Sequence, residues 1–220
     1  MKVLYRSEKK NSDRITIATY SGDIMTNVRW DVTMSLDGFI ADPNDSPGRL
    51  FDWYFKGDTP SAYGSAYGFK LFSEDAKYFD EGVKMIGAIV AGKRTYEVSE
   101  AWGGNFFIPV PLFVVTHKPP LRVPKGTTKF TFVTDGIHDA IKQAKAAAHN
   151  KIVSIMGANI AKQCMEAGLL DELRVHVAPF LLGDGVRLFS HSGAHPVELQ
   201  RTRVIESSSG VTHIHYRVIK

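Results

Sequence analysis

The segment VRWDVTMSLDGFIADP (residues 28–43) starts as a β-strand and then breaks that pattern. Apolar and polar residues alternate from Val28 to Leu36, which is typical of a strand with two different faces. Trp30, Val32 and Met34 share one face, and Arg29, Asp31 and Thr33 share the other. The pair Asp37-Gly38 then interrupts the apolar run, although a continuous buried strand has no use for it. The strand is therefore expected to bend there.

Downstream of this segment, strand-like and helix-like stretches alternate. Predicted strands cover residues 86–91, 112–116, 130–134, 151–157 and 172–180, and predicted helices cover residues 73–85, 94–102, 136–150 and 159–170. Strands separated by helices imply crossover connections, so we predict an α/β fold with a largely parallel sheet covered on both faces. Residues 42–72 are predicted to form a long ordered loop, and residues 197–219 an antiparallel hairpin.

The first 24 residues do not share this pattern. They lack the long apolar region and the cleavage site of a signal peptide. Because Met25 stands just before the first predicted strand, residues 1–24 are predicted to be a non-catalytic leader or extension, and residues 25–220 one domain. An extra edge strand from Arg14 to Tyr20 is the alternative interpretation.

Composition excludes several classes of protein. The net charge of +4 comes without a basic run, which argues against a nucleic-acid partner. No stretch reaches the roughly 18 apolar residues of a membrane helix, so no membrane partner is expected. Cys164 is the only cysteine, which excludes an internal disulfide and a cysteine-based zinc site and fits a cytoplasmic location. Its place in an amphipathic helix predicts a core residue.

Three junctions at predicted strand ends carry groups that bind phosphate. Gly92 allows a tight turn before Lys93, Arg94 and Thr95 open a helix, whose first N–H groups attract anions. The segment SIMGANIAKQ (residues 154–163) repeats the arrangement with small residues, and Thr116–Lys118 ends a further strand. Each junction alone also fits ordinary turn chemistry and solvated cations. Together they favour a dinucleotide that carries an extra phosphate.

Two other patterns are rejected as sites. GAIVAGK (residues 87–93) matches the P-loop spacing, but Arg94 replaces the required Ser or Thr and the middle of the match is strand. His213 and His215 share one face of a predicted strand without a nearby pair of carboxylates, so we expect them to face solvent and predict no metal site. The remaining histidines considered for a metal site are His176, His191 and His195.

These motifs, in this order and spacing, resemble the dihydrofolate reductase-like superfamily. The segments VTMSLDGFIA, VAGKRTYE, PLFVVTHK, SIMGANIAKQ and DELRVHVAPFLLGDGVRLF are most similar to the reductase domain of riboflavin biosynthesis and its single-domain relatives. The resemblance spans residues 28–219 and implies a three-layer α/β/α fold with NADPH lying across the strand ends. It does not extend to the zinc deaminase domain that often accompanies this reductase, because the chain has one cysteine.

The resemblance also implies which residues contact NADPH. Thr33, Ile40 and Ala41 would border the nicotinamide, and the bend at Asp37-Gly38 would let the strand pass its ring and become a mobile flap. Gly92, Lys93, Arg94 and Thr95 would hold the phosphates, and Thr116, His117 and Lys118 would contact the 2′-phosphate side of the adenosine. Gly157, Ala158, Asn159 and Ile160 would carry the pyrophosphate, and Met156 and Gln163 are further cofactor contacts. The positive charge of three of these residues, Arg94, His117 and Lys118, favours NADPH over NADH.

Substrate chemistry is less constrained by the sequence. Dihydrofolate reductases carry a carboxylate on the helix before the first phosphate loop, and Asp75 stands near that place, one residue out of register. An acidic residue in a first helical turn also has a structural explanation. Asp75 and Asp37 are the candidate catalytic residues, and Asp31, Trp53 and Asp184 are the candidate substrate contacts.

The resemblance thus implies an NADPH-dependent reductase that transfers a hydride to a C=N or C=O bond of a small heterocycle, pterin-like or aminopyrimidine-like. Two alternatives stay open, namely an NADPH-binding protein without turnover and a genuine dihydrofolate reductase. The predicted hairpin has one apolar face with Ile214, Tyr216 and Val218. Because relatives commonly form dimers, the resemblance implies a homodimer.

Overall fold

The computed structural model describes residues 26–189 and 196–220, and the following bounds refer to these ranges. The strands are β1 (Val28–Ser35), β2 (Phe39–Ala41), β3 (Thr59–Pro60), β4 (Lys70–Leu71), β5 (Ile86–Gly92), β6 (Leu112–Val115), β7 (Phe130–Val133), β8 (Ile152–Met156), β9 (Glu172–Ala178), β10 (Val186–Arg187), β11 (Leu199–Glu206) and β12 (Thr212–Val218). The α-helices are α1 (Ser73–Lys84), α2 (Lys93–Val98), α3 (Ile137–Ala147) and α4 (Ala158–Glu166). The predicted leader, the alternative edge strand within it, His191 and His195 lie outside the described residues.

The central sheet has eight strands in the order β11-β12-β9-β1-β8-β5-β6-β7. The strands from β9 to β7 run parallel, whereas β12 pairs antiparallel with β9 and with β11. The predicted α/β class, the mostly parallel sheet and the antiparallel C-terminal hairpin are confirmed. Because consecutive parallel strands return to the same edge, the loops after β8, β5 and β6 lie side by side.

Helices cover the two faces of the sheet. Apolar residues of α3 and α4 pack against Val28 and Trp30 of β1 and the inner strands, and Cys164 is fully buried there, as predicted. On the other face, Val83 of α1 and Tyr96 of α2 pack against β5 and β6. No helix in the described ranges is long and apolar enough to cross a membrane.

The strand that opens the domain bends as expected. Gly38 has a φ of +87°, a conformation that favours glycine, and β2 then leaves the central sheet to pair with β10. The predicted loop between residues 42 and 72 also contains short 3₁₀ helices at Gly48–Tyr54 and Ser65–Tyr67. The helix predicted over residues 94–102 ends earlier, at Val98, because a 3₁₀ turn with left-handed residues follows.

Candidate active site

Two of the predicted phosphate loops touch each other at the carboxyl ends of β5 and β8. Gly157, at the start of α4, has a φ of +95°, and a Cβ atom there would lie 2.6 Å from Oγ1 of Thr95. A Cβ atom on Gly92 would similarly lie 3.2 Å from the Ile160 side chain. The backbone therefore approaches closely where the sequence has glycine, and the first N–H groups of α4 open beside Thr95, free of partners within the helix.

Cations line the same edge of the sheet. Lys93 pairs with Glu97 one turn further along α2, while His117 and Lys118 are exposed after β6. Arg94 contacts Asp45 of the loop after β2, with its Nε 2.9 Å from Oδ2, and this hydrogen bond raises the pKa of Arg94. The loop after β2 thus reaches across to the phosphate loop after β5.

Other residues predicted to contact the cofactor form local hydrogen bonds or pack against the core. Thr116 is buried, and its hydroxyl donates to the carbonyl oxygen of Lys118 at 2.9 Å. Gln163 donates to Oδ1 of Asn159 at 2.5 Å on the surface of α4. Met156 is half-buried at the end of β8, where it packs against the core that α2 covers.

The Asp37 carboxylate ties the bend after β1 to a distant loop. It accepts hydrogen bonds from the Ser35 hydroxyl at 2.5 Å and from the backbone N–H groups of Leu182 and Gly183 at 3.0 and 2.7 Å. These donors, Ser35 first, lower the pKa of Asp37 to about 2. The contacts give Asp37 a clear structural role, and its catalytic role stays a prediction.

The same loop brings Asp184 near the predicted nicotinamide contacts. A Cβ atom on Gly185 would lie 2.0 Å from the carbonyl oxygen of Ala41, so only glycine fits there. Asp184 is exposed and accepts a hydrogen bond from the N–H of Gly185. Ile40 is half-buried against the core on the α3 and α4 side.

A buried polar network lies between α1 and the strands β1, β9 and β12. Asp75 is 1% exposed, and its Oδ1 lies 3.0 Å from Nε2 of His213. Nδ1 of His213 in turn lies 2.9 Å from Nδ1 of His176. The expectation that His213 and His215 face solvent is wrong, because α1 covers the polar face of these strands and supplies hydrogen-bond partners.

Two further polar pairs adjoin this network. The Tyr78 hydroxyl is 2.8 Å from Nε2 of His215, and Arg29 pairs with Asp31 at 2.5 Å. Burial would raise the pKa of Asp31, but the Arg29 and Arg174 guanidinium groups outweigh it and lower the pKa. Asp31 is therefore an ion-pair partner inside the network, and its predicted contact with substrate remains untested.

Burial keeps the imidazole rings of His176 and His215 neutral. It lowers the pKa of His176 to about 3, with the neighbouring His213 adding to the effect, and it lowers the pKa of His215 to about 4. Burial also raises the pKa of the Tyr78 hydroxyl. His176 and His215 are consequently neutral rings near neutral pH.

Trp53 covers the outer end of this network. Its Nε1 donates to Oγ1 of Thr33 at 3.3 Å, and its ring centre lies 5.4 Å from that of His176 and 5.3 Å from that of His213. Tyr54 stacks on Trp53 at 4.0 Å. Thr33, Trp53 and Asp75, which were predicted separately as cofactor, substrate and catalytic residues, therefore adjoin one cluster.

The histidines of this network were missed by the sequence interpretation. Their signal was the polar alternation of three strands that become neighbours, together with Asp75 and Tyr78 on the helix that crosses them. Among residues 26–189 and 196–220, no group of three or more His, Cys, Asp and Glu side chains is arranged to hold a metal ion.

Comparison with known proteins identifies a family and a fold. The family model described as the RibD C-terminal domain matches residues 26–213. No curated protein matches the chain in sequence. A candidate riboflavin biosynthesis protein from Shewanella sp. PV-4 has a similar structure, with a TM-score of 0.68 and 22% identity over 89% of this chain and 100% of that one.

Two further structures extend the likeness in fold. The diaminohydroxyphosphoribosylaminopyrimidine deaminase/5-amino-6-(5-phosphoribosylamino)uracil reductase of Thermotoga maritima has a TM-score of 0.61 and 12% identity, covering 89% of this chain and 57% of that one. Dihydrofolate reductase from Enterococcus faecalis, complexed with NADP(H), has a TM-score of 0.55 and 14% identity, covering 89% and 98%. The dihydrofolate reductase-like fold is thereby confirmed.

Proposed function

Because this chain belongs to the RibD C-terminal domain family, we propose that it is an NADPH-dependent reductase of a small heterocycle with an aminopyrimidine-like or pterin-like ring. The proposed reaction adds a hydride to the carbon of a C=N or C=O bond and a proton to its nitrogen or oxygen. NADPH, when bound, supplies the hydride, and the protein supplies orientation and the proton.

One observation carries this proposal, namely the convergence of three phosphate-binding loops at one edge of the sheet. The contact between Gly157 and Thr95 leaves the backbone close enough for a pyrophosphate to approach the first N–H groups of α4. Arg94 and Lys118 supply positive charge for a 2′-phosphate, and His117 is exposed beside Lys118 as a further hydrogen-bonding group. The residues at this edge therefore fit NADPH.

The end of β1 supports a place for the nicotinamide and the substrate. Thr33 lies beside Trp53, and Ile40 and Ala41 lie beyond the bend, where β2 has left the sheet. We propose that the reacting ring binds between these residues and the outer end of the polar network. Asp37 would then act by holding the loop that carries Asp184, a candidate substrate contact.

The first experiment is a fluorescence titration with NADPH and NADH. We expect wild-type protein to bind NADPH in the micromolar range and NADH more weakly, because NADH lacks the 2′-phosphate. The variant Lys93→Ala/Arg94→Ala should raise the Kd for NADPH roughly tenfold or more. The matched control Lys142→Ala/Lys145→Ala removes the same charge from α3, outside the site, and should leave the Kd within about twofold.

The outcomes of that titration separate the proposal from its alternatives. Folded protein that binds neither nucleotide would refute the NADPH site. NADPH binding without oxidation by any pterin or aminopyrimidine would favour a binding protein without turnover. Rapid oxidation with 7,8-dihydrofolate alone would favour a genuine dihydrofolate reductase.

We also propose that the protein is a homodimer. Helices α3 and α4 cover the inner strands, and the outer part of the same face, on β9 and β12, forms an apolar groove of ≈ 450 Å³. Ile214 and Tyr216 line this groove together with Leu199, which is 40% exposed. A second copy of the chain would remove this surface from water. The cytoplasmic location stays a prediction from the single cysteine.

A further inference from the structure

The hydrogen bonds between Asp75, His213 and His176 form one continuous chain with two ends. Asp75 lies at one end, with its Oδ1 3.0 Å from Nε2 of His213. Its Oδ2 is buried and has no hydrogen-bond partner within the described part of the chain. The Nδ1···Nδ1 contact of 2.9 Å between the two histidines requires that one nitrogen carries a proton and the other accepts it. A proton that leaves His176 can thus be replaced by one from His213, and the Asp75–His213 hydrogen bond changes with it.

The outer end of this chain is Nε2 of His176. This atom has no hydrogen-bond partner among residues 26–189 and 196–220, although the ring is 5% exposed and Nδ1 is bonded. Thr33 is the register partner of His176 on β1, and Trp53 lies across its ring. The His176 ring consequently adjoins the residues that the proposed function assigns to the nicotinamide and the substrate.

We propose that Asp75, His213 and His176 are a proton relay, and that Nε2 of His176 delivers the proton to the substrate. This assignment rests on the proposed function. His176 is its catalytic residue, whereas His213 and Asp75 act through it as positioning and proton-supplying residues. Asp75 is enclosed by α1 and the strands, so it does not itself donate to the substrate.

The proton transfer is balanced as follows. A C=N or C=O bond that gains a hydride at carbon moves its π electrons to nitrogen or oxygen, which bonds to the proton from Nε2 of His176. Nδ1 of His176 takes the proton from Nδ1 of His213 as the first bond breaks. The Asp75–His213 pair therefore holds two protons before the step and one after it. Water restores the missing proton through His176 once the product leaves.

The groups around His176 keep its imidazole neutral. Burial and the neighbouring His213 lower the pKa of His176, and Asp31 partly opposes them. The titratable and charged groups that face it are Asp31 on β1, Arg174 on β9, His213 and His215 on β12, Asp75 and Tyr78 on α1, and Tyr54 in the 3₁₀ turn. The relay delivers a proton only while Nε2 of His176 carries one, so hydride transfer should slow at high pH.

The first test needs no substrate. Nitrogen-15 NMR of the imidazole rings is compared between wild type, Asp75→Asn and the control His138→Gln, with NADP⁺ absent and present. His138 is exposed on α3, outside the network. Asparagine keeps the shape of Asp75 and can still accept from His213, but it cannot exchange a proton. We expect Asp75→Asn to shift the ring nitrogens of both His213 and His176, and His138→Gln to leave His176 within experimental error. A change confined to His213 overturns the relay.

The second test is single-turnover NADPH oxidation with 5-amino-6-(5-phosphoribosylamino)uracil and with 7,8-dihydrofolate. We expect His176→Gln and His213→Gln to slow hydride transfer about 100-fold or more and to lose the fall in rate at high pH. The Kd for NADPH should stay within about twofold, and circular dichroism should confirm folding. The control His138→Gln, on the exposed side of α3, should keep the rate and the pH profile.

The outcomes distinguish failure of the relay from failure of the proposed function. Normal turnover and pH profile in His213→Gln overturn the relay while the reductase stands. Wild-type protein that binds NADPH but reduces neither probe counts against the reductase, and the NMR coupling then decides the relay by itself. Loss of turnover in His213→Gln, together with an NMR shift at His176 in Asp75→Asn, supports both the relay and the reductase.

Discussion

The glycine at the start of α4 offers the sharpest test of the cofactor site, because the chain provides its own control. Gly157 precedes α4 with φ +95° and ψ 141°, and Gly136 precedes α3 with φ +86° and ψ −172°. A Cβ atom on Gly157 would lie 2.6 Å from Thr95 Oγ1, whereas a Cβ atom on Gly136 would meet nothing within 4 Å. Alanine at the two positions therefore shares the backbone strain and differs in the collision.

The expected losses of stability and of NADPH affinity follow from the backbone strain and from the collision with Thr95. A non-glycine residue in this backbone region costs about 1–3 kcal/mol of stability. For a chain of this size, that loss lowers Tm by about 2–4 °C for each kcal/mol. Gly157→Ala additionally forces the Thr95 hydroxyl to rotate away and places a methyl group where the pyrophosphate would approach. We expect the Kd for NADPH to rise about tenfold or more, equivalent to roughly 1.4 kcal/mol.

The assay is NADPH fluorescence titration beside thermal unfolding of wild type, Gly157→Ala and Gly136→Ala. Gly136→Ala should lose stability and keep its Kd for NADPH within about twofold. Equal losses of stability in the two variants with an unchanged Kd in both would refute the reasoning, since the close approach at Gly157 would then have no part in cofactor binding.

Three further predictions concern other parts of the molecule. Asp45→Asn removes the carboxylate that competes with phosphate for Arg94, so NADPH should bind severalfold more tightly in a titration at low salt; weaker binding would contradict the competition. Because burial lowers the folded-state pKa of His176 to about 3 and of His215 to about 4, the unfolded chain alone takes up these protons below about pH 6.5. Urea unfolding should therefore show stability falling between about pH 6.5 and 4, by up to roughly 1.4 kcal/mol per pH unit for each histidine, and a flat profile would contradict their burial as neutral rings. Tyr216→Glu places a charge in the apolar groove and should convert a dimer into a monomer in light scattering, and an unchanged mass would place the contact elsewhere or exclude it.

Local pattern was sufficient for the order of elements and for the grouping of three loops at one edge of the sheet. Alternation with a period of two identified β1, and helices between later strands required parallel crossovers, whose strand ends meet at one edge. The glycines and cations after β5, β6 and β8 could consequently be grouped from the sequence, whereas their contact with a cofactor stays a prediction. Strand bounds agree to within a few residues, since periodicity marks the middle of an element better than its end.

Tertiary structure alone decided which polar residues are buried and what they contact. Alternation shows that β9 and β12 have two different faces, but it cannot show that α1 covers the polar one. The partners that make such burial tolerable are distant in sequence, as Asp75 and His213 are separated by 138 positions. Asp37 likewise meets its backbone donors 145 and 146 positions away. A buried polar side chain is stable only when hydrogen-bond partners surround it, and long-range packing assembles those partners.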